Sequence, residues 1–530
     1  MTEKYLLYNA KVYCGLPYAQ PYNAILIEGD TIRATGAKAL RQPKDMSTHL
    51  LDLNGATVWP GLVDSHLHLA YLGERLQAVD CETSSLAELL RRVETKCLGL
   101  PADQSWVIGY GFNHNDWQPA IYPTREDLDR VSHGHPVLIH AKSLHASWAN
   151  SLALELSGIG PGTADPVGGL IQRDSGSLPT GILLENATSL VMNAIPKPDL
   201  SQSRAAIKEA QAHLFSMGVT SVHDFDRWEA LHGLFALQEA GELQLNVVNQ
   251  MHREWLDQIL REDLRGQISA HGLLPGWIKC FADGALGPQS AAMLQPYENS
   301  AETGMLLISE DELLETGKLA AEGGWPLSVH AIGDAANRTV LRAFARLRAY
   351  EAERGLPHLL HRIEHCQLLH PDDIAEFKRL NIIASMQPIH ATSDMHTAQR
   401  HWGARNATSY AWQALEQSGA RLIFGSDAPV ETASPFAGLH AAVTRRRPDG
   451  SPSPLGWQPQ NRLSLKTALD AYTINPGLYC TPDLRGRLEA GWKADLIILD
   501  QDPFSMDPQD LWKLEVRSTM VNGQFVYHRA

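Results

Sequence analysis

Between Thr57 and Ser426 the chain passes again and again from a short apolar run into a helical pattern, and this alternation constrains the fold more than any other feature. Eight runs read as strands: 57–63, 220–223, 245–250, 277–281, 327–330, 362–365, 382–387 and 421–426. Helix-type periodicity fills most of the gaps, as in 202–217 before the second run and 335–353 before the sixth. Parallel neighbours need a crossover of a dozen or more residues, usually a helix, whereas antiparallel ones turn in two. Eight strands alternating with helices predict an α/β fold, a TIM-like (β/α)8 barrel.

The two ends differ from the middle. Runs 5–13, 23–28 and 49–53 near the start, and 494–500 and 517–527 near the end, read as strands, with Asn522-Gly523 as a hairpin turn. They predict a small β-sandwich domain built from 1–56 and 485–530, around a barrel of 57–69 and 196–484. About 155 residues separate the first two barrel runs, far more than a βα connection needs. The excess predicts an inserted α+β domain over 70–195, with strand-like pieces at 105–109 and 136–141 and a hairpin across 174–180.

A chain of 530 residues exceeds one ordinary core, consistent with several domains. A net charge of -15 argues against a nucleic-acid partner. No run approaches the roughly 18 apolar residues of a membrane span, and residues 1–8 lack the pattern of a secretory signal. The cysteines (Cys14, Cys81, Cys97, Cys280, Cys366, Cys480) show no paired spacing, so a reducing cytoplasm is expected.

Chemistry gathers at the strand ends. The first run leads to His66-x-His68, and alternate residues on a strand share a face, so two imidazoles are placed to grip one metal ion. The fourth carries Lys279 within an apolar strand, where an ammonium is costly unless paired or modified. The fifth ends at His330, the sixth at His365, and the eighth leads to Asp427. Singly, His330 or His365 reads as a hydrogen-bonded core residue, Lys279 as a partner of Asp283 or a snorkelling side chain, and Asp427 as a helix N-cap. Together, six ligand-type residues ending strands of one barrel converge on its C-terminal face, where barrel active sites lie.

The blocks VDSHLH (63–68), WIKCFADGALG (277–287), SVHAIGD (328–334), RIEHCQ (362–367), FGSDAPV (424–430) and GWKADLIILD (491–500) resemble the amidohydrolase superfamily of metal-dependent hydrolases. More narrowly, they resemble amidohydrolase family 3, the branch of the YtcJ-like proteins and N-substituted formamide deformylases. The resemblance implies two divalent metal ions, zinc in the first instance. His66 and His68 match ligands of the buried ion, and His330 and His365 ligands of the exposed one. Lys279 matches the lysine that CO2 converts to a bridging carbamate. Asp427 matches the aspartate that binds metal and shuttles the proton as a metal-activated hydroxide attacks the substrate. The implied catalytic residues are Asp427, Lys279 and His330, and the implied reaction is hydrolysis of a C–N amide-type bond in a small molecule. Candidates for reading the substrate are Asn113, His114, Trp117 and His145 in the insertion, with Asp283, Gln387 and His390 in the barrel. A homodimer is in keeping with the superfamily.

Two departures stand out. After Gly287 family members often continue Ser-Arg, and this chain has Pro288-Gln289. In the seventh-strand loop His396 stands where an aromatic residue is usual. A formamide substrate is therefore not carried over. Deamination or ester hydrolysis on the same barrel is the competing enzymatic reading. Lys279 counts against mononuclear deaminases of the superfamily, which lack a bridging lysine and use a glutamate near the fifth strand. Glu364 does not replace it, since alternation should turn it away from His365. A non-catalytic binding scaffold would have lost ligands, and all six are present.

Overall fold

The computed structural model describes residues 3–15, 21–101, 105–143, 145–481 and 483–529. At its centre are eight parallel strands: β1 (Leu62–Leu67), β2 (Val219–Asp224), β3 (Asn246–His252), β4 (Leu274–Phe281), β5 (Leu327–Ala331), β6 (Arg362–His365), β7 (Ile383–Met386) and β8 (Arg421–Phe424). Each pairs with the next in chain order. Strands β1, β6 and β7 are buried at every position, as expected when helices cover one face and packed side chains fill the other. Helix Asp334–Arg354 precedes β6 and ends at Gly355, whose φ of 65° suits a left-handed cap.

Between β8 and β1 the barrel is closed by the residues just beyond the two strands. The His68 N–H donates to Ala428 O at 2.8 Å, and the Asp427 N–H donates to His66 O at 2.6 Å. Leu67 and Ala428 form a parallel bridge. Gly425 permits this approach, because a Cβ there would lie 2.4 Å from the His66 nitrogen. Buried Asp64 ties the seam from the other side, accepting from Ser426 N–H at 3.0 Å and from Ser426 Oγ–H at 2.5 Å. The segments that close the barrel are thus the ones that carry His66, His68 and Asp427.

The run 57–63 is not a single barrel strand. Thr57–Pro60 pairs antiparallel with Leu496–Leu499, and the chain passes to β1 only after Gly61. Pro60 has no N–H to extend a ladder. Gly61 lies against Thr220, where a Cβ would meet Oγ1 at 2.3 Å. The barrel therefore starts at Leu62, not at 57, and Thr57–Pro60 belongs to a sheet that also holds Lys4–Val12, Tyr22–Glu28, Thr31–Thr35, Thr48–Asp52, Val516–Val521 and Gln524–His528. Leu7, Ile25, Val58, Leu496 and Ile498 pack together in its core.

A second compact unit runs from Glu74 to Gln202 and carries its own six-stranded sheet. Val107–Phe112 and Val137–Ala141 run parallel, and Gly169–Arg173 with Pro179–Glu185 forms a hairpin. The unit starts later than residue 70 and ends later than 195. Gly73 packs on Ala206 so closely that an added Cβ would lie 1.8 Å from its carbonyl oxygen, which keeps both residues with the barrel. No helix among the described residues is long and apolar enough to cross a membrane.

Candidate metal centre

His66, His68, Lys279, His330, His365 and Asp427 all line one cavity of about 390 Å³ at the C-terminal end of the barrel. Among the described residues, atoms of four of these and of His390 form two groups able to hold a metal ion, His66–His68–Asp427 and His365–His390–Asp427, with the ligand atoms of each group within 4.8 Å of one another. Asp427 is common to both. Its Oδ1 lies 3.6 Å from His66 Nε2 and 3.5 Å from His68 Nε2, and its Oδ2 lies 3.7 Å from His390 Nε2. His390 thus occupies the place in the second group where the sequence reading has His330. His330 instead has its Nε2 2.9 Å from Gly284 O, which leaves Nδ1 as the ring nitrogen free to act.

The rings of His66 and His365 are oriented in the same way, each by a hydrogen bond through one nitrogen. His66 Nδ1 lies 2.7 Å from Glu364 Oε2, and His365 Nδ1 lies 2.8 Å from Gln387 Oε1. With those nitrogens protonated, Nε2 of each ring is the free lone pair, the usual way a neighbouring acceptor selects the tautomer of a metal-binding histidine. Phe225 stacks on His66 at 3.8 Å and holds its plane. Burial lowers the pKa of His66 and of His330 to about 4, so both are neutral, and hence able to ligate, at neutral pH. Burial opposes ionisation of Asp427, but the hydrogen bond from His68 and the surrounding imidazoles outweigh it and hold the carboxyl below the ordinary range.

Glu364 corrects an expectation. It points into the barrel rather than away from the site, because His365 lies at φ 71° and has left the strand geometry that alternation assumes. Asp427 is likewise left-handed, at φ 60°. Glu364 is fully buried and faces the edge of His66 away from the cavity, so it orients that ring and is no proton donor to a ligand there. It also pairs with Arg362, whose guanidinium donates to Ser65 O at 2.7 Å and Ser385 Oγ at 2.7 Å. Burial raises the Glu364 pKa, but Arg362 and His66 more than reverse this and hold it well below its ordinary value. The stabilisation is therefore full above the ordinary glutamate range and is lost as pH falls through the depressed value. Glu364→Gln should leave a buried guanidinium uncompensated and cost about 3–5 kcal/mol. Thermal unfolding of the metal-free protein measures this, and an unchanged midpoint would show that Arg362 does not depend on Glu364.

Lys279 is 3% exposed. Among the described residues no carboxylate pairs with its Nζ, which faces the rings of Phe225 at 4.7 Å and Phe281 at 4.9 Å. Burial lowers its pKa to about 8. The expected alternative partner, Asp283, is engaged elsewhere. It accepts from the N–H groups of Ala292, Ile332 and Gly333 at 2.8–3.0 Å and staples the loops after β4 and β5. Asp283 does not line the cavity, nor does Gln387, which stands behind His365. Of the barrel residues expected to read substrate, only His390 lines the cavity.

Within the second unit, Trp117 is buried in that unit's core and donates from Nε1 to Thr83 O at 3.1 Å. Asn113 caps a short turn by accepting from Asn115, His114 stacks on Tyr122 at 3.8 Å, and exposed His145 pairs with Glu185 at 3.1 Å.

The amidohydrolase family model matches residues 49–527, nearly the whole chain. The chain belongs to the amidohydrolase family. YtcJ of Bacillus subtilis (strain 168) is 32% identical over 543 aligned positions, covering 99% of this chain and 100% of the relative. The N-substituted formamide deformylase of Arthrobacter pascens is 28% identical over 531, covering 96% and 95%. Among solved structures, an uncharacterized metal-dependent hydrolase from Pyrococcus furiosus matches with a TM-score of 0.78 at 29% identity, covering 95% of this chain and 100% of that one. The protein is thus a hydrolase of a metal-dependent superfamily. Its cavity residues fit that membership, since they offer imidazole nitrogens and carboxylate oxygen converging on common points, and His390 Nε2 is buried without a hydrogen-bond partner among the described residues.

Several supporting residues of this amidohydrolase escaped the sequence reading. Arg362 and Glu364 lie in the RIEHCQ block, where strand alternation would turn both away from the site. Asp224 and Asp226, at the end of β2, accept from Leu69 and Ala70 N–H at 3.0 and 2.5 Å and brace the segment after His68. The acid-rich His223-Asp224-Phe225-Asp226 at a strand end was the available signal.

Proposed function

We propose that this chain is a binuclear hydrolase that cleaves a C–N amide-type bond of a small molecule. The observation that carries the proposal is Lys279, a buried amine with no carboxylate at ion-pair distance among the described residues, in a cavity ringed by histidines and Asp427. A lysine with a lowered pKa is neutral for part of the time, and its free lone pair takes up CO2 with loss of a proton. The resulting carbamate is an anionic oxygen ligand, which resolves the cost of burying the ammonium. In this proposal His66, His68 and Asp427 would hold one ion, His365 with His330 and the neighbouring His390 would hold the other, and carboxylated Lys279 would add oxygen ligands. When bound, divalent metal, zinc in the first instance, supplies Lewis acidity and water of lowered pKa.

The protein's own residues do the rest. Asp427 takes the proton from the attacking water and returns it to the leaving nitrogen, a transfer worth about 10²–10⁴ in rate. Glu364 and Gln387 keep the His66 and His365 rings in register through the cycle. Phe225, Phe281 and Leu286 line the cavity with apolar surface and limit its water. The name of the Arthrobacter pascens relative describes removal of a formyl group from an N-substituted amide, and supports a C–N bond over an ester. Pro288-Gln289 in the loop after β4 argues against formamides as such.

Elemental analysis of protein purified without chelators tests the metal count. About two divalent ions per chain are expected, with activity on an N-acyl or N-formyl panel lost on chelation and restored by zinc with bicarbonate. One ion per chain would favour a mononuclear deaminase. None, even after zinc and bicarbonate, would leave a binding scaffold.

A further inference from the structure

One wall of the cavity is acidic and is not used by the proposed chemistry. Asp394, on the helix Pro388–Trp402 after β7, and Glu431, after β8, both line it. Neither pairs with a lysine or arginine among the described residues. One deeply buried polar atom on the same wall and outside the metal groups, Gln367 Oε1 in a residue 3% exposed, has no hydrogen-bond partner among the described residues.

The wall is built. Tyr410 sits at φ 48°, a left-handed conformation that a non-glycine residue seldom adopts. Its hydroxyl donates to Asp394 Oδ2 at 2.8 Å, and its N–H donates to Gln367 O at 2.6 Å. Its carbonyl accepts from Arg445 Nη1 at 3.1 Å. Arg445 is itself fully buried between Trp412 and Trp457, at 4.4 and 4.7 Å from their rings. One residue, anchored by a buried cation, therefore positions both Asp394 and Gln367. Gln367 in turn holds His390 Nδ1 at 3.3 Å.

The opposite wall, from the loops after β4 and β5, is apolar, with Phe281, Ala285, Leu286 and Ile332. Among the described residues lining the cavity there is no arginine, and the only lysine is Lys279. Neither the acidic wall nor the apolar one carries a lysine or arginine among the described residues.

We infer that the substrate carries a cationic group, an ammonium, amidinium or guanidinium, which docks between Asp394 and Glu431 while its apolar part lies against Phe281 and Leu286. This rests on the proposal that the cavity binds the substrate of a hydrolase. It adds the substrate's charge class and assigns Asp394 and Glu431 to its selection, with Tyr410 as a positioning residue.

Three acetamides of equal chain length, ending in an ammonium, a hydroxyl or a carboxylate, separate the possibilities. Binding to the metal-loaded protein is measured by calorimetry and cleavage by release of the amine. The ammonium compound should bind at least about tenfold more tightly than the hydroxyl compound, the scale of one partly desolvated charge pair. The carboxylate compound should bind most weakly. In Asp394→Asn and Glu431→Gln the ammonium-to-hydroxyl ratio should fall towards one. In Tyr410→Phe it should fall partway through KM, with the fold checked by circular dichroism. Equal binding of the three, absence of binding included, or preference for the carboxylate would overturn the inference whether or not any amide is cleaved. Ammonium-selective binding without cleavage of any amide would support it and count against the amide-hydrolase proposal.

Discussion

Asp427→Asn should lower kcat/KM by about 10²–10⁴-fold, the range lost when a positioned acid–base group is removed. Asp427 lies within 4 Å of three imidazole nitrogens, those of His66, His68 and His390. Its backbone is fixed by the N–H donated to His66 O and by a left-handed φ that the loop after β8 imposes. The amide of asparagine keeps one oxygen for a ligand but cannot take up a proton in this range, so the substitution separates binding from proton transfer. Metal content should be retained at least in part, and the loss should appear mainly in kcat. Turnover close to that of the unmodified protein, at equal metal content, would exclude Asp427 as the proton shuttle. Loss of both ions together with activity would mean that its part in holding metal dominates.

Lys279→Ala should reduce bound metal from about two ions per chain to one or fewer and abolish most activity. The substitution removes the only lysine that lines the cavity among the described residues and leaves a gap beside Phe225 and Phe281. A short carboxylic acid fits the same role as a carbamate, with two oxygens on one carbon, so acetate or propionate should restore part of both metal content and rate. Amines of equal size should not. Unchanged metal stoichiometry in the alanine variant would rule out a bridging ligand at this position, and metal loss without any rescue would favour a simple packing role.

Much of the barrel was legible because its signals are local. Short apolar runs, helical spacing between them and turn residues at their ends are set by neighbours in sequence. The same locality misled at Thr57–Pro60 and Leu62–Leu67, two strands of different sheets that read as one because a single glycine separates them. Strand alternation failed at Glu364 for a related reason: it holds only while the strand continues, and His365 has already left it. Asp283, Gln387 and Trp117 have the composition of site residues. What they do depends on which backbone N–H, ring or carbonyl lies across a fold boundary, and no spacing in the chain encodes that.

The amino-acid sequence alone determined the residue types at the strand ends, His66, His68, Lys279, His330, His365 and Asp427, and the eightfold alternation that brings strand ends to one face. The tertiary structure decided which ring nitrogens are free, which carboxylates serve as supports and which face the cavity. Those choices rest on contacts such as His66 with Glu364, Lys279 with Phe225, and Tyr410 with Asp394. The first joins residues nearly 300 positions apart in the chain. That contact forms only when the barrel closes, since chain connectivity places these two groups no closer than any other distant pair until the parallel register is complete.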